Sequence, residues 1–185
     1  MNVTNQQLAF ARVQAQAGEN ATSALARRAH WQAGVMQLGL ALESYAAELR
    51  ESAKLKVPVR PGAHMFSGLL EDFKAAGKAS AELDELASLE RNPASWLSIL
   101  QQWTQDLLNL GGEGGERHHS SVLAETSLTQ SGHAQSKVRG ADMIALIDVV
   151  EASDNAPAFS ESLFQDAIRS ATVLIERQRG NSLEY

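Results

Sequence analysis

The chain has no cysteine, which removes disulfides, zinc ribbons, thiolate catalysis and iron–sulfur clusters by simple absence and fits a reducing cytoplasm. It also lacks an excess of positive charge. The formal net charge is −6, whereas a protein that neutralises phosphates usually carries a basic stripe and a high isoelectric point, so nucleic acid is disfavoured as a partner. Residues 1–110 are close to neutral, with 10 Lys/Arg against 11 Asp/Glu, while residues 111–185 hold 6 against 11. Long hydrophobic runs are missing as well. The most apolar stretch, Ala33 to Leu42, is interrupted by Gln37 and falls well short of the ~20 residues a bilayer requires. Met1 to Leu8 has neither a basic n-region nor an apolar h-region, so a secretory signal is not expected.

What is present is ordinary globular composition, 44% hydrophobic and 21% charged over 185 residues, enough to bury a core in one domain spanning the whole chain. Thr4 with Gln7 has capping-box spacing, which predicts a first helix starting at Thr4, turning Phe10, Val13 and Ala17 to one face and closing at Gly18. After a second cap signal at Asn20 to Ser23, Trp31, Val35, Leu38, Leu42, Tyr45 and Leu49 recur at alternating fours and threes, an a/d-type seam. Ala29, Ala33, Met36 and Leu40 widen it into a face expected to pack on several neighbours. Pro58 and Pro61 place a loop at 56–62, because proline cannot continue the helical ladder.

Phe66, Leu69, Leu70 and Phe73, an interruption near Gly77, and then Leu83, Leu86 and Leu89 predict a broken helix. Asn92-Pro93 reads as a restart, with Asn as cap and Pro at the first helical position. A second clean seam follows at Trp96, Leu100, Trp103, Leu107 and Leu110, stopped by Gly111-Gly112. Residues 111–137 read as a flexible Gly/Ser/His-rich segment. The apolar run Met143 to Val150 suits a short strand or hairpin as well as a buried helix. A last helix from Ser160 or Ser162 to Gly180 turns Phe164, Ile168, Ala171 and Ile175 inward. The expected fold is mainly α: a single helical bundle of four to six helices, with the Trp31 and Trp96 helices as its central pair.

The search for chemistry mostly excludes. Gly111-Gly112-Glu113-Gly114-Gly115-Glu116 puts acids where phosphates would approach, and Gly77-Lys78 has Asp72 where a phosphate loop needs its first glycine. Glu-x-x-His, which di-iron bundles use twice, occurs once, at Glu116 and His119, so no metal site is expected, and His118, His119 and His133 read as solvated loop histidines. No Gly-x-Ser-x-Gly or His-Glu-x-x-His is present. Arg60 to His64 leaves only three residues between, so the arginine-to-histidine motif of HEPN-type helical ribonucleases is absent. The three tryptophans fall on helical seams and read as core. No catalytic residue and no cofactor is implied, and the reading leans away from an enzyme.

Thr4-Asn5-Gln6, Glu85-Leu86-Ala87-Ser88-Leu89-Glu90 with Ser95-Trp96-Leu97, and Ile175-Glu176-Arg177-Gln178-Arg179 with Glu184-Tyr185 bracket nearly the whole chain. On them it resembles an uncharacterised family of small helical proteins from pseudomonads and related gamma-proteobacteria. The resemblance implies a bacterial cytoplasmic protein without assigned activity. The candidate interaction residues are Arg50, Lys54, Lys56 and Arg60 at the exit of the central helix, and Arg177 and Arg179 near the C-terminus. At each place, dipole complementation at a helix end competes with a docking role. The functional expectation is a non-enzymatic protein-interaction or adaptor module with a protein partner, homo-oligomerisation included. The alternative is a small-ligand binder or enzyme with a pocket between helices, near Trp31, Tyr45, Trp96 or Trp103.

Overall fold

The structure is a computed structural model that describes residues 2–62, 64–112 and 159–182. Among these residues the chain forms six α-helices and no strand: α1 (Val3–Asn20), α2 (Ala24–Ser52), α3 (Met65–Ala75), α4 (Ala81–Arg91), α5 (Trp96–Gly112) and α6 (Glu161–Ser182). The mainly α bundle read from the periodicity is what forms. Residues 113–137, with Glu116 and the histidines 118, 119 and 133, and the run 143–150 lie outside the described residues.

Local side-chain oxygens start five of these helices. Asn2 accepts from Thr4 N (2.8 Å), Ser23 from Ala26 N (3.1 Å), Ser80 from Leu83 N (3.2 Å), Ser95 from Ser98 N (3.1 Å) and, more weakly, Ser160 from Leu163 N (3.5 Å). Two expected starts are thereby corrected. Asn2 caps α1, which frees Thr4 to sit inside the helix, fully buried, with its hydroxyl donating to Glu48. Asn92 ends α4 and holds a turn through Ala94 N, so α5 begins three residues after Pro93. The glycine stops are corrected too: α1 runs through Gly18, and α6 runs through Gly180.

α2 is the central element, in contact with α1, α3, α5 and α6. Its Trp31, Val35, Leu38, Leu42 and Tyr45 are buried, as the seam predicts. Its most extensive partner is α1 rather than α5, and the reason is side-chain size. The buried face of α1 is Thr4, Leu8, Ala11, Ala15 and Gly18, a row of mostly small residues that lets two helix backbones approach closely. Phe10 (44% exposed) and Val13 (59%) point outward instead, which reverses the face expected for α1. On α2, Ala29 and Leu40 are likewise exposed and Ala33 and Met36 only half-buried, so they do not widen the core seam.

α6 buries Phe164, Ile168, Ala171 and Ile175 as its pattern predicts, and adds Ala167 and Leu174. It runs antiparallel to α1 and is tied to it by Arg179 to Asn5 (2.6 Å), Arg12 to Thr172 (2.7 Å) and Gln165 to Glu19 (2.8 Å). These links recur every seven residues along both helices, the spacing that keeps one face of an α-helix toward a neighbour.

The α2 exit carries the only positive φ outside glycine among the described residues, Lys54 at 54°. Lys54 N and Leu55 N donate to Glu51 O (2.8 Å) and Arg50 O (3.1 Å), a Schellman ending whose left-handed position normally belongs to glycine. Lys54→Gly is expected to raise the unfolding free energy by about 0.5–1 kcal/mol, because a Cβ is disfavoured in that conformation. Urea unfolding followed by circular dichroism would show it, and a loss of stability would mean that the lysine side chain contributes more than the strain it imposes.

Candidate interaction surfaces

The ends of α2 and α6 meet at one end of the bundle, and a polar network joins four helices there. The Tyr45 hydroxyl donates to Gln178 Oε1 at 2.7 Å in a buried contact, and Gln178 Nε2 reaches Glu85 Oε2 (3.0 Å) and Glu82 O (3.3 Å) on α4. Arg179 pairs with Glu48 (2.7 Å) and lies 5.6 Å from the centre of the Tyr45 ring. Arg177 pairs with Glu85. Both C-terminal arginines read as candidates from the sequence are thus engaged within the fold.

Of the other four, Arg50 is half-buried and donates to Val57 O (3.4 Å), while Lys54, Lys56 and Arg60 are exposed. Lys78, which the sequence did not single out, donates to Ala53 O at the same helix end, where a cation meets the negative end of the α2 dipole.

Burial pushes the Tyr45 hydroxyl well above its ordinary value near 10, with Arg179 pulling partly back. The folded state therefore holds the protonated phenol more tightly than the unfolded chain does. That contribution is complete below about pH 10 and is lost as pH rises beyond it. Tyr45→Phe is expected to cost about 1–2 kcal/mol at pH 7, since Gln178 Oε1 loses a buried donor, and to reduce the alkaline fall in stability. Urea midpoints for both proteins at pH 7 and at about pH 10.5 test this, and an equal alkaline fall in the two would contradict it.

Two surface cavities among the described residues bear on ligand binding. A groove of about 120 Å³ between α2, α3 and α5 is lined by Leu42, Met65, Leu100 and Leu108, with Glu43 and Thr104 among its polar groups. Burial raises the Glu43 carboxyl above its usual value. A second hollow of about 280 Å³ lies against the proline loop, with Arg60, His64 and Asp72 on its wall. Both fall below the ~300–1,000 Å³ usual for small-molecule sites, and neither is lined by Trp31, Tyr45, Trp96 or Trp103. Trp31 instead packs edge-on against Phe164 (5.6 Å, 87°), and Trp103 lies 4.9 Å from Phe159. Among the described residues no group of three or more His, Asp or Glu is placed to hold a metal ion. No helix there is long and apolar enough to cross a membrane.

The surface that departs from ordinary solvation is the outward side of α1 and α2. From Val3 to Gly18 the only charged residue is Arg12, which is turned to Thr172 of α6, and from Ala29 to Leu42 there is none. Val3 (57%), Phe10 (44%) and Val13 (59%) on α1 and Leu40 (40%) on α2 are exposed there. The outward sides of α3, α4 and α6 are unlike it, whereas α5 has Asp106 as its one charged residue and Leu108 exposed at 54%. Exposed Glu71 and Lys74 mark α3, Asp84 and Arg91 mark α4, and Asp166, Arg169 and Glu176 mark α6. Solvated helix faces are normally charged in this way, and a broad uncharged apolar face marks an interaction site.

The signal for this face was present in the sequence as a scarcity of charge. What hid it was the assignment of the same apolar residues to the core.

The whole chain, residues 1–185, matches a family of unknown function (DUF6586), and the chain belongs to that family. No curated protein and no solved structure matches it.

Proposed function

We propose that this member of a family without assigned function is a non-enzymatic protein-interaction or adaptor module whose docking face is the outward side of α1 and α2. The observation that carries this reading is the uncharged face itself, with Phe10, Val13 and Leu40 exposed on it, while α3, α4 and α6 carry exposed ionic residues on their outward sides. Burying such side chains against a partner removes apolar area from water at about 25 cal/mol per Å². The absence of cysteine supports a cytoplasmic setting. The exposed cations Lys54, Lys56 and Arg60 supply a polar rim that would steer an acidic partner without adding much affinity. The small volumes of the two cavities favour a macromolecular partner over a small ligand.

The test places a photo-crosslinking residue at Phe10 or Val13, and separately at Arg169 on the charged side of α6, in the full chain within its native cells. Capture of a protein in constant stoichiometry from the α1 positions alone is expected. Phe10→Glu combined with Val13→Glu should leave stability within about 0.5 kcal/mol, as exposed substitutions do, and reduce capture about tenfold or more. Equal capture from Arg169, or capture unaffected by the double substitution, would overturn the reading.

A further inference from the structure

We infer that the groove between α2, α3 and α5 is the docking site of this chain's own apolar run Met143–Val150, which lies outside the described residues. No residue of α1 lines the groove, so the inference stands apart from the proposed docking face. Leu42 of α2, Met65 of α3, and Leu100 and Leu108 of α5 form its apolar wall. Leu108 is 54% exposed. The void measures about 120 Å³, and since an apolar cavity of ~150 Å³ takes up benzene, it has room for one branched aliphatic side chain.

The course of the chain names the occupant. The last residue of α5, Gly112, stands one turn beyond Leu108 on the groove wall, and the chain is next described at Phe159. The Phe159 ring lies 4.9 Å from Trp103 of α5 and 5.9 Å from Trp31 of α2. Residues 113–158 therefore begin and end beside two of the helices that bound the groove. Their longest apolar stretch is Met143–Val150, interrupted by Asp148 alone. Its length suits the site, because the α5 wall from Leu100 to Leu108 is about 12 Å long. Residues 151–158 span about 27 Å when extended, enough to lead from the groove around α5, itself about 10–12 Å across, to Phe159.

Charge agrees with this occupant. Glu43 is the one ionic group on the groove wall, and no described residue pairs with it. Just before the run, Lys137 and Arg139 outweigh Asp142, so the Met143 end brings net positive charge to Glu43. Asp148 and Glu151 lie toward the other end. A second copy or a foreign protein offering the same chemistry would first have to lose its independent motion. The tethered run meets the groove at an effective concentration on the order of millimolar, so it holds the site ahead of either competitor.

The absence of native cysteine lets a single thiol report on the groove. In the purified full chain, Gln105→Cys on the groove wall should react with a maleimide about tenfold faster once Ile144 and Ile147 are both changed to serine. Ser88→Cys, exposed on α4, should react at one rate in both backgrounds. The reciprocal pair decides the matter if the double serine variant loses helicity: Leu108→Asp should speed the reaction of Ala145→Cys about tenfold.

Unchanged rates at Gln105→Cys and Ala145→Cys overturn the inference. Protection of Gln105→Cys that grows with protein concentration from about 1 to 100 µM overturns it in favour of a second copy. Protection found in lysate and missing from the purified chain overturns it in favour of a foreign protein. Capture at Phe10 and Val13 is untouched by any of these results, so the two readings fail separately.

Discussion

Replacing Glu90 by alanine is expected to lower the unfolding free energy by about 3 kcal/mol, the larger of the polar losses open to this fold. Glu90 sits on α4, is 6% exposed, and sends its carboxylate to the start of another helix. Its Oε2 accepts from Ser67 N at 2.7 Å, its Oε1 from Phe66 N at 3.1 Å, and Gln101 Nε2 adds a bond at 2.8 Å. α3 has no side-chain cap of its own, since His64 makes none, so the amides that every helix leaves open at its N-terminus depend on this distant residue. The carboxylate also lies at the positive end of the α3 dipole, which favours its charge. Glu90→Gln keeps acceptor oxygen at one position only and is expected to cost about half as much. Urea unfolding of both variants gives the values, with a fall in melting temperature of about 6–12 °C for alanine. An alanine variant within about 1 kcal/mol of the parent would mean that water or a local rearrangement caps α3 equally well.

The sequence contained a signal for Glu90 that periodicity alone discards. Leu83, Leu86 and Ala87 form the buried stripe of α4, and Glu90 is the next position on it. An acid there is out of place twice, on a core register and in the last turn of a helix, where the dipole disfavours it. Thr4 on α1 and Gln178 on α6 have the same property: each continues an apolar row and each is buried. Polar residues on a core register are therefore the part of the network that could have been found without coordinates. Their partners could not. Glu48, Glu85 and Phe66 N come from helices whose relative positions are set by the whole packing, and no spacing rule spans separations of 24 to 93 residues.

The strong seams were legible because they carry large residues. Trp31 to Tyr45 and Phe164 to Ile175 are buried as their spacing predicts. α1 is the opposite case. A row of Ala11, Ala15 and Gly18 transfers little apolar area per residue, so a scale based on size ranks the Phe10 and Val13 face above it. Packing reverses the ranking, since small residues allow a close helix pair, and that pair buries the large residues of α2. The larger side chains of α1 were then left to solvent or to a partner, and the candidate interaction face follows from this choice of which side to bury.

Gly34→Val is expected to cost about 3 kcal/mol, whereas Gly68→Ala is expected to gain about 0.5–1 kcal/mol, although both replace a helical glycine by a residue of higher helix propensity. The difference lies in what a Cβ would meet. At Gly34 it would stand 2.9 Å from Cε1 and 3.0 Å from Cζ of Phe164, and at Gly68 nothing lies within 4 Å. The Phe164 ring has nowhere to go: it is fully buried and packed edge-on against Trp31. Trp31 in turn occupies the space over Gly18, where a Cβ would lie 2.9 Å from its ring. Two absent side chains thus form the slots that hold two aromatic rings, and filling one displaces the other's neighbour. Differential scanning calorimetry of the two variants reads the contrast, with tryptophan fluorescence reporting whether the Trp31 environment moves. If Gly34→Val were as stable as the parent, the Phe164 ring on α6 would have room to shift there, and the missing side chain at Gly34 would not be what forms its slot.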